Sequence, residues 1–77
     1  MTWFVYILKC SDNTLYTGIT NNLEKRIATH NSGKGAKYTK GRLPVILLKK
    51  FETQSKSEAL KLEIKIKKLS RDQKLIL

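Results

Sequence analysis

The sequence is poor in the residues that carry most disulfide and zinc chemistry. Its 77 residues include one cysteine and one histidine. A single cysteine, Cys10, cannot form a disulfide within the chain, and one cysteine with one histidine cannot build a structural zinc site. Because no second cysteine and no neighbouring histidine would activate the Cys10 thiol, we interpret it as a structural residue rather than a nucleophile.

Long hydrophobic runs are also missing. No apolar segment approaches the ~20 residues of a membrane-spanning helix, and no secretory signal opens the sequence. We therefore expect no membrane partner and a cytoplasmic location. Proline occurs once and glycine four times, while 40% of the residues are hydrophobic, which is typical of a globular chain. The length predicts one domain that spans residues 1–77.

Acidic residues are scarce relative to basic ones. Six Asp and Glu stand against sixteen Lys and Arg, for a formal net charge of +10. A small body with this charge attracts polyanions and associates with them in a salt-sensitive way. Nucleic acid is therefore the favoured partner, and the alternative is a soluble protein with a lysine-rich surface.

Patterning and turn residues predict the order β-β-α-β-α-α. The first strand is almost continuously apolar, which favours a central strand covered on both faces. Asp12 and Asn13 supply a turn, so the first two strands should form a hairpin. The predicted strands are Trp3–Lys9, Thr14–Thr20 and Val45–Phe51, the last of them led by Pro44.

Capping residues predict where the helices begin. Asn or Thr before Leu23 can cap a first helix, which ends at about Asn31 before Ser32-Gly33. Ser55 with Glu58 and Ser70 with Gln73 have capping-box spacing, which predicts a second helix to about Leu69 and a short third one. The fold class is α+β, a three-stranded antiparallel sheet flanked by helices.

The segment from Gly33 to Arg42 is predicted as a basic loop. It interleaves positive charges with one tyrosine, a composition suited to phosphate contacts. The alternative for any single lysine is a solvated surface position. The candidate substrate-binding residues of this loop are Lys37, Tyr38, Lys40 and Arg42.

The second helix places a carboxylate in an apolar arc. Its stripe consists of Ala59, Leu62, Ile66 and Leu69, and Leu60 and Ile64 extend the arc to one side. Glu63 falls inside the arc, where a carboxylate is costly to bury unless it meets a cation or a metal. The alternative is an ion pair with Lys67 at i,i+4 on the rim.

Five side chains supply the parts that phosphodiester hydrolysis needs. They are two strand tyrosines, an arginine and a histidine at i,i+4 on the first helix, and the glutamate in the arc: Tyr6, Tyr16, Arg26, His30 and Glu63. Separately each has an ordinary structural explanation. Together they offer a group to orient or deprotonate water, a cation for the phosphoryl oxygens and a carboxylate for a divalent metal.

The order of these residues resembles the GIY-YIG nuclease family. Val5-Tyr6-Ile7 and Tyr16-Thr17-Gly18 are similar to its paired motif in variant form, with Thr17 at a usually aliphatic position. The resemblance continues through Arg26 and Glu63 and covers nearly the whole chain. It is closest to small stand-alone bacterial members, through Lys37–Lys40, Pro44 and Ala59–Lys67.

The resemblance implies a role for each residue. Tyr6 and Tyr16 would line the site and activate the attacking water, with Tyr6 as general base through a pKa lowered by the metal. Arg26 would stabilise charge on the scissile phosphate, and His30 would shuttle a proton or hold phosphate. Glu63 would bind one Mg²⁺ or Mn²⁺, and Lys67 is a further substrate-binding candidate.

The resemblance also implies a function, a metal-dependent endonuclease that acts on DNA in the bacterial cytoplasm or nucleoid. Larger family members attach a DNA-recognition domain, whereas this sequence stops at Leu77. We therefore expect low sequence specificity, with branched or damaged DNA among the substrates and a protein partner to supply specificity. The alternatives are a non-catalytic nucleic-acid-binding module with the same fold and a structural protein whose charge keeps it soluble.

Overall fold

Two tyrosine-bearing strands form the antiparallel hairpin that the sequence predicts. The structure, a computed structural model, describes residues 2–77 and places β1 at Trp3–Lys9 and β2 at Leu15–Thr20. At the turn, the Asp12 carboxylate accepts hydrogen bonds from the backbone N–H and hydroxyl of Thr14. Asn13 has a φ of 68°, in the left-handed region that asparagine tolerates.

The third strand completes the predicted sheet. Strand β3 at Ile46–Thr53 pairs antiparallel with β1, so the order is β2-β1-β3. Strand β1 is central, as predicted, and Val5 and Leu8 are fully buried. The strand does not begin at Val45 as expected, because the Asn31 side chain takes both backbone groups of that residue. Asn31 accepts from the Val45 N–H at 2.8 Å and donates to its carbonyl at 3.1 Å.

Three helices begin next to their predicted caps. Helix α1 at Leu23–Asn31 is capped by Asn22, whose side chain accepts from the backbone N–H of Lys25. Gly33 follows its end with a φ of 81°, which favours glycine. The later helices, numbered after the short helix described next, are α3 at Lys56–Lys67, capped by Ser55, and α4 at Arg71–Leu75, capped by Ser70.

The basic segment contains a single helical turn that the sequence did not predict. Helix α2 spans Lys37–Lys40 inside the expected loop. Its inward residue Thr39 is fully buried, and the N–H of Thr39 donates to the Ala36 carbonyl at 3.1 Å. A buried contact therefore orders a turn that has no apolar period of its own.

The two faces of the sheet bury different sets of side chains. Val5 and Ile7 pack with Ala59 and Ile66 of α3 on one face. On the other face Tyr6, Leu8, Cys10 and Val45 pack with Tyr16 and with apolar residues of α1 and the following loop, which are Leu23, Ile27 and Leu43. The motif tyrosines thus lie on the α1 side.

One part of the predicted apolar arc on α3 is wrong. Leu60 and Ile64 are 41% and 55% exposed, whereas Ala59 and Ile66 are buried. The helix rests on the sheet through one flank, so the flank that carries Leu60 and Ile64 faces outward. No helix within residues 2–77 has both the length and the apolar character to cross a membrane.

Candidate active site

The hairpin register brings the motif residues to one surface. Tyr6 pairs with Gly18 and Leu8 with Tyr16, and paired residues point to the same face. The two tyrosine rings lie 6.4 Å apart. A Cβ at Gly18 would lie 2.5 Å from the Tyr6 hydroxyl and 3.2 Å from the Tyr16 ring. Gly18 therefore provides the space in which both aromatic side chains fit.

Helix α1 directs two side chains at the Tyr6 hydroxyl. The Tyr6 oxygen lies 3.0 Å from Nε2 of His30 and accepts a hydrogen bond from Nε of Arg26 at 3.3 Å. The i,i+4 spacing of Arg26 and His30 sets both on the helix face that meets the sheet. Tyr6 is 1% exposed and His30 is fully buried, so the contact between Tyr6 and His30 lies in the interior.

Burial controls the protonation of the two buried rings. It raises the pKa of Tyr6, an effect that the hydrogen bond and charge of Arg26 oppose and that Tyr16 and Glu63 reinforce. The protein by itself therefore holds Tyr6 as a neutral phenol, and the metal-lowered pKa expected for this residue stays a prediction. Burial, and then the charge of Arg26, lower the pKa of His30. The histidine is accordingly neutral at pH 7.

Arg26 and Tyr16 complete the set of side chains next to Tyr6 and His30. The hydrogen bond with Tyr6 raises the pKa of Arg26, and Tyr16 raises it further while burial opposes both. Arg26 is half-buried. The Tyr16 ring lies 5.3 Å from the His30 ring in an edge-on arrangement. Four predicted residues therefore meet around one hydroxyl group.

Glu63 lies on α3, which packs on the face of the sheet opposite α1. Its side chain is 17% exposed, and its carboxylate pairs with the Lys67 ammonium at 3.4 Å, as the rim-pair alternative predicted. It is also close enough to Tyr6 to raise the pKa of the phenol. Within residues 2–77 no three His, Cys, Asp or Glu side chains cluster as a metal site. A lone carboxylate still fits Mg²⁺, which usually keeps several waters and takes one or two protein carboxylates.

The predicted substrate-binding residues divide into two groups. Tyr38 stacks on Tyr16 with ring centroids 5.8 Å apart. The Arg42 guanidinium lies 4.3 Å above the Tyr38 ring and donates to the Asp12 carboxylate at 2.9 Å. These aromatic and guanidinium groups are held by internal contacts. The exposed ammonium groups on α2 belong to Lys37 and Lys40.

Two residues of the site were not anticipated from the sequence. Oγ1 of Thr39 lies 2.8 Å from Nδ1 of His30. Gly35 passes so close that an added Cβ would lie 2.5 Å from the same nitrogen. Thr39 carried a weak signal, as the uncharged β-branched residue of a basic tetrapeptide. The sequence suggests only a spacer role for Gly35, because the close approach of a loop backbone to a side chain has no sequence period.

Comparison with known proteins assigns the family. Residues 2–75 match the GIY-YIG catalytic domain, so the chain belongs to the GIY-YIG family. It is 62% identical over 72 residues to a UPF0213 protein of Staphylococcus haemolyticus, across 94% of this chain and 88% of that protein. A UPF0213 protein of Clostridium perfringens is 61% identical over 72 residues, across 94% and 77% of the two chains.

Solved structures share the fold. The solution structure of the protein EF2693 from E. faecalis has a TM-score of 0.67 and 42% identity, over 97% of this chain and 80% of that one. The solution structure of the UPF0213 protein BH0048 from Bacillus halodurans has a TM-score of 0.59 and 49% identity, over 96% and 79%. These similarities bear out the predicted family and α+β architecture.

Proposed function

We propose that this protein is a metal-dependent endonuclease that hydrolyses DNA phosphodiester bonds in the bacterial cytoplasm. GIY-YIG domains form a nuclease family, and that membership implies a nucleic-acid substrate. The observation that carries the proposal is the buried contact of Arg26, Tyr6 and His30 on one hydroxyl, with Tyr16 beside it. A neutral phenol between a guanidinium and a neutral imidazole is arranged for proton transfer next to an anion.

Arg26 is the proposed phosphate ligand. It donates to Tyr6 through Nε, and a guanidinium carries five N–H donors, so others remain to bind phosphoryl oxygens. Because Tyr6 is 1% exposed, we expect water to reach it once a phosphate draws Arg26 outward. The charge of Arg26 is one of the two causes of the lowered pKa of His30. Because a bound phosphate offsets this charge, it also reduces that effect.

The proton then moves along the buried contact. The attacking water gives a proton to the Tyr6 oxygen as the Tyr6 proton passes to Nε2 of His30. The water oxygen forms a bond to phosphorus, the bond from phosphorus to the leaving sugar oxygen breaks, and that oxygen takes a proton from solvent. Glu63 is the proposed ligand of one Mg²⁺ or Mn²⁺. When bound, the ion would supply Lewis-acid stabilisation of the phosphoryl oxygens.

Low sequence specificity follows from the proposed contacts. Arg26, Lys37, Lys40 and Lys67 are suited to phosphates, and phosphate contacts position a duplex without reading its sequence. We propose branched or damaged DNA as the substrate class, which would place the enzyme in DNA repair. A protein partner that supplies specificity is part of the same proposal.

A nicking assay tests the function. Supercoiled plasmid and branched duplexes are incubated with Mg²⁺ or Mn²⁺ and the wild type, Tyr6→Phe or Glu63→Gln. We expect each change to slow nicking by about 100-fold or more. Glu24→Gln is the matched control, because it removes the same charge from an exposed position on α1 and should nick at the wild-type rate.

Two other results would reject the proposal. Equal rates for the wild type, Tyr6→Phe and Glu63→Gln would show that the activity arises elsewhere or from a contaminant. Salt-dependent binding by the wild type without nicking in either metal would favour the non-catalytic binding module.

A further inference from the structure

We propose that Thr39 is a positioning residue that fixes His30 in the tautomer able to accept the Tyr6 proton. This inference rests on the proposed function for its catalytic consequence. The tautomer itself is argued from hydrogen-bond geometry at both ends of the imidazole. It assigns a specific task to the short helix α2, whose sequence otherwise suggests only a basic surface.

The first argument concerns the Thr39 hydroxyl. It donates to the carbonyl of Ala36 at 3.0 Å and lies 2.8 Å from Nδ1 of His30. A hydroxyl has one hydrogen, and a carbonyl oxygen can only accept. With its hydrogen on Ala36, the Thr39 oxygen can only accept from His30, so Nδ1 carries the proton.

The second argument comes from the opposite end of the ring. Within residues 2–77 the Tyr6 hydroxyl has two hydrogen-bond partners, Arg26 and His30. A guanidinium cannot accept, so the proton of this buried phenol is bonded only if Nε2 of His30 accepts it. A neutral imidazole has one donor and one acceptor nitrogen. The two ends therefore agree on a ring with Nδ1–H and a bare Nε2.

The surroundings hold this arrangement in place. Thr39 and His30 are both fully buried. The backbone at Gly35 covers the imidazole so closely that a Cβ there would lie 2.5 Å from Nδ1. Water cannot replace the threonine hydroxyl without a rearrangement of this segment. Removing the hydroxyl would leave a buried N–H without its acceptor, and the opposite tautomer would aim Nε2–H at Tyr6 and block the transfer.

The tautomer can be read directly, because His30 is the single histidine of the chain. Nitrogen-15 NMR of the labelled imidazole at pH 7.5 distinguishes a protonated Nδ1 from a protonated Nε2. We expect the wild type and Thr39→Ser to show Nδ1–H and a bare Nε2. In Thr39→Val we expect a mixture of tautomers or the opposite one.

Nicking kinetics supply the second readout. Under the proposed function, Thr39→Val lowers kcat by about 100-fold with little change in KM, and Thr39→Ser restores it. Thr17→Val is the matched control, since the Thr17 hydroxyl is also buried but has no hydrogen-bond partner within residues 2–77. Thr17 pairs with Ile7 and so faces the α3 side, away from Tyr6. The His30 spectrum and the kcat of Thr17→Val should equal those of the wild type.

Failure of the tautomer inference can be distinguished from failure of the proposed function. A wild-type spectrum with protonated Nε2 overturns the inference without any variant, even if Thr39→Val does not fold. A folded Thr39→Val with the wild-type spectrum overturns it as well, and the endonuclease proposal then stands on Tyr6 and Glu63. If the spectra behave as expected but Tyr6→Phe and Glu63→Gln nick normally, the proposed function fails and the tautomer assignment survives.

Discussion

At the scale of single residues, two glycines leave the space that the Tyr6 and His30 side chains occupy. A Cβ at Gly18 would meet the Tyr6 hydroxyl at 2.5 Å, and a Cβ at Gly35 would meet His30 at the same distance. Neither glycine is in the left-handed region, so space rather than backbone conformation excludes a side chain. The packing of the site therefore requires residues without a Cβ at both positions.

We expect Gly18→Ala to lower the free energy of unfolding by about 1–3 kcal/mol, because the new methyl displaces buried Tyr6. Urea denaturation followed by the fluorescence of Trp3 measures the change. Gly41→Ala is the matched control, since no atom lies within 4 Å of the position that its Cβ would take. Equal midpoints for the two variants would contradict the packing described for Gly18.

The pH dependence of stability should report the buried histidine. The pKa of His30 is lowered from 6.5 by burial and by Arg26, so the unfolded chain binds a proton in a range where the folded chain does not. The stability is then complete above pH 6.5 and falls as the pH drops towards the folded pKa. The loss amounts to about 1.4 kcal/mol for each unit of pKa lowering.

The comparison variant for this measurement is His30→Gln. Urea midpoints between pH 7.5 and 5 should slope for the wild type and be flatter for the variant. The same slope in both proteins would mean that His30 titrates in the fold as it does in the unfolded chain.

At the scale of elements, local signals explain what the sequence could predict. Apolar runs located β1 and β3, and side-chain caps at Asn22, Ser55 and Ser70 located three helix starts, because these signals act within a few residues. Helix α2 depends on the burial of Thr39 against His30, a contact across the loop that follows α1. The sequence offers only a weak sign of this contact, the uncharged β-branched Thr39 within a basic tetrapeptide.

In the candidate site, too, local spacing could be predicted and contacts between elements could not. Spacing identified Arg26 and His30 as neighbours, since one helix face carries both. The flank of α3 that meets the sheet could not be chosen, because a helical projection gives an arc and not its partner. Leu60 and Ile64 were therefore counted as an extension of the apolar arc, and they are exposed.

A pair of isoleucines on α3 tests which flank is buried. Ile66 is 2% exposed and Ile64 is 55% exposed. Ile66→Ala should destabilise by about 2–4 kcal/mol through a cavity, and Ile64→Ala by less than about 1 kcal/mol. Both changes remove the same atoms from the same helix, so the difference in urea midpoint isolates burial. A larger loss for Ile64→Ala would reverse the orientation of α3.

At the scale of the whole molecule, charge is unevenly placed. The net charge is +10 with only six acidic residues. Two of these acids, Glu52 and Glu58, line one groove at the end of β3 and the start of α3. Two cations contact residues of the candidate site, since Arg26 donates to Tyr6 and Lys67 pairs with Glu63. We therefore expect a polyanion to approach the candidate site rather than this groove.

DNA affinity should fall with salt, and Lys37 and Lys40 should contribute to the slope. For duplex DNA each phosphate contact adds about −0.9 to the slope of log affinity against log salt. Changing both lysines to alanine should make the slope shallower by about 2. Fluorescence anisotropy with labelled duplex at several salt concentrations measures it.

The control for this measurement is Lys61→Ala with Lys65→Ala, which removes the same charge. At about 100° per residue these lysines lie on the flank of α3 opposite Glu63, and they are exposed. The slope of log affinity against log salt for this double variant should stay near that of the wild type. Equal effects of the two double variants would mean that net charge alone determines binding.

The two hydrogen bonds between the Asn31 side chain and the Val45 backbone have a further consequence. It ties the end of α1 to the start of β3 and closes residues 32–44 into a loop that carries both Gly35 and Thr39. Such a segment can open as a local unit while the sheet stays folded. We expect hydrogen exchange in this loop to outpace that of β1. Activity should then fade on heating before the sheet melts, so that heat inactivation and global unfolding are two separate events.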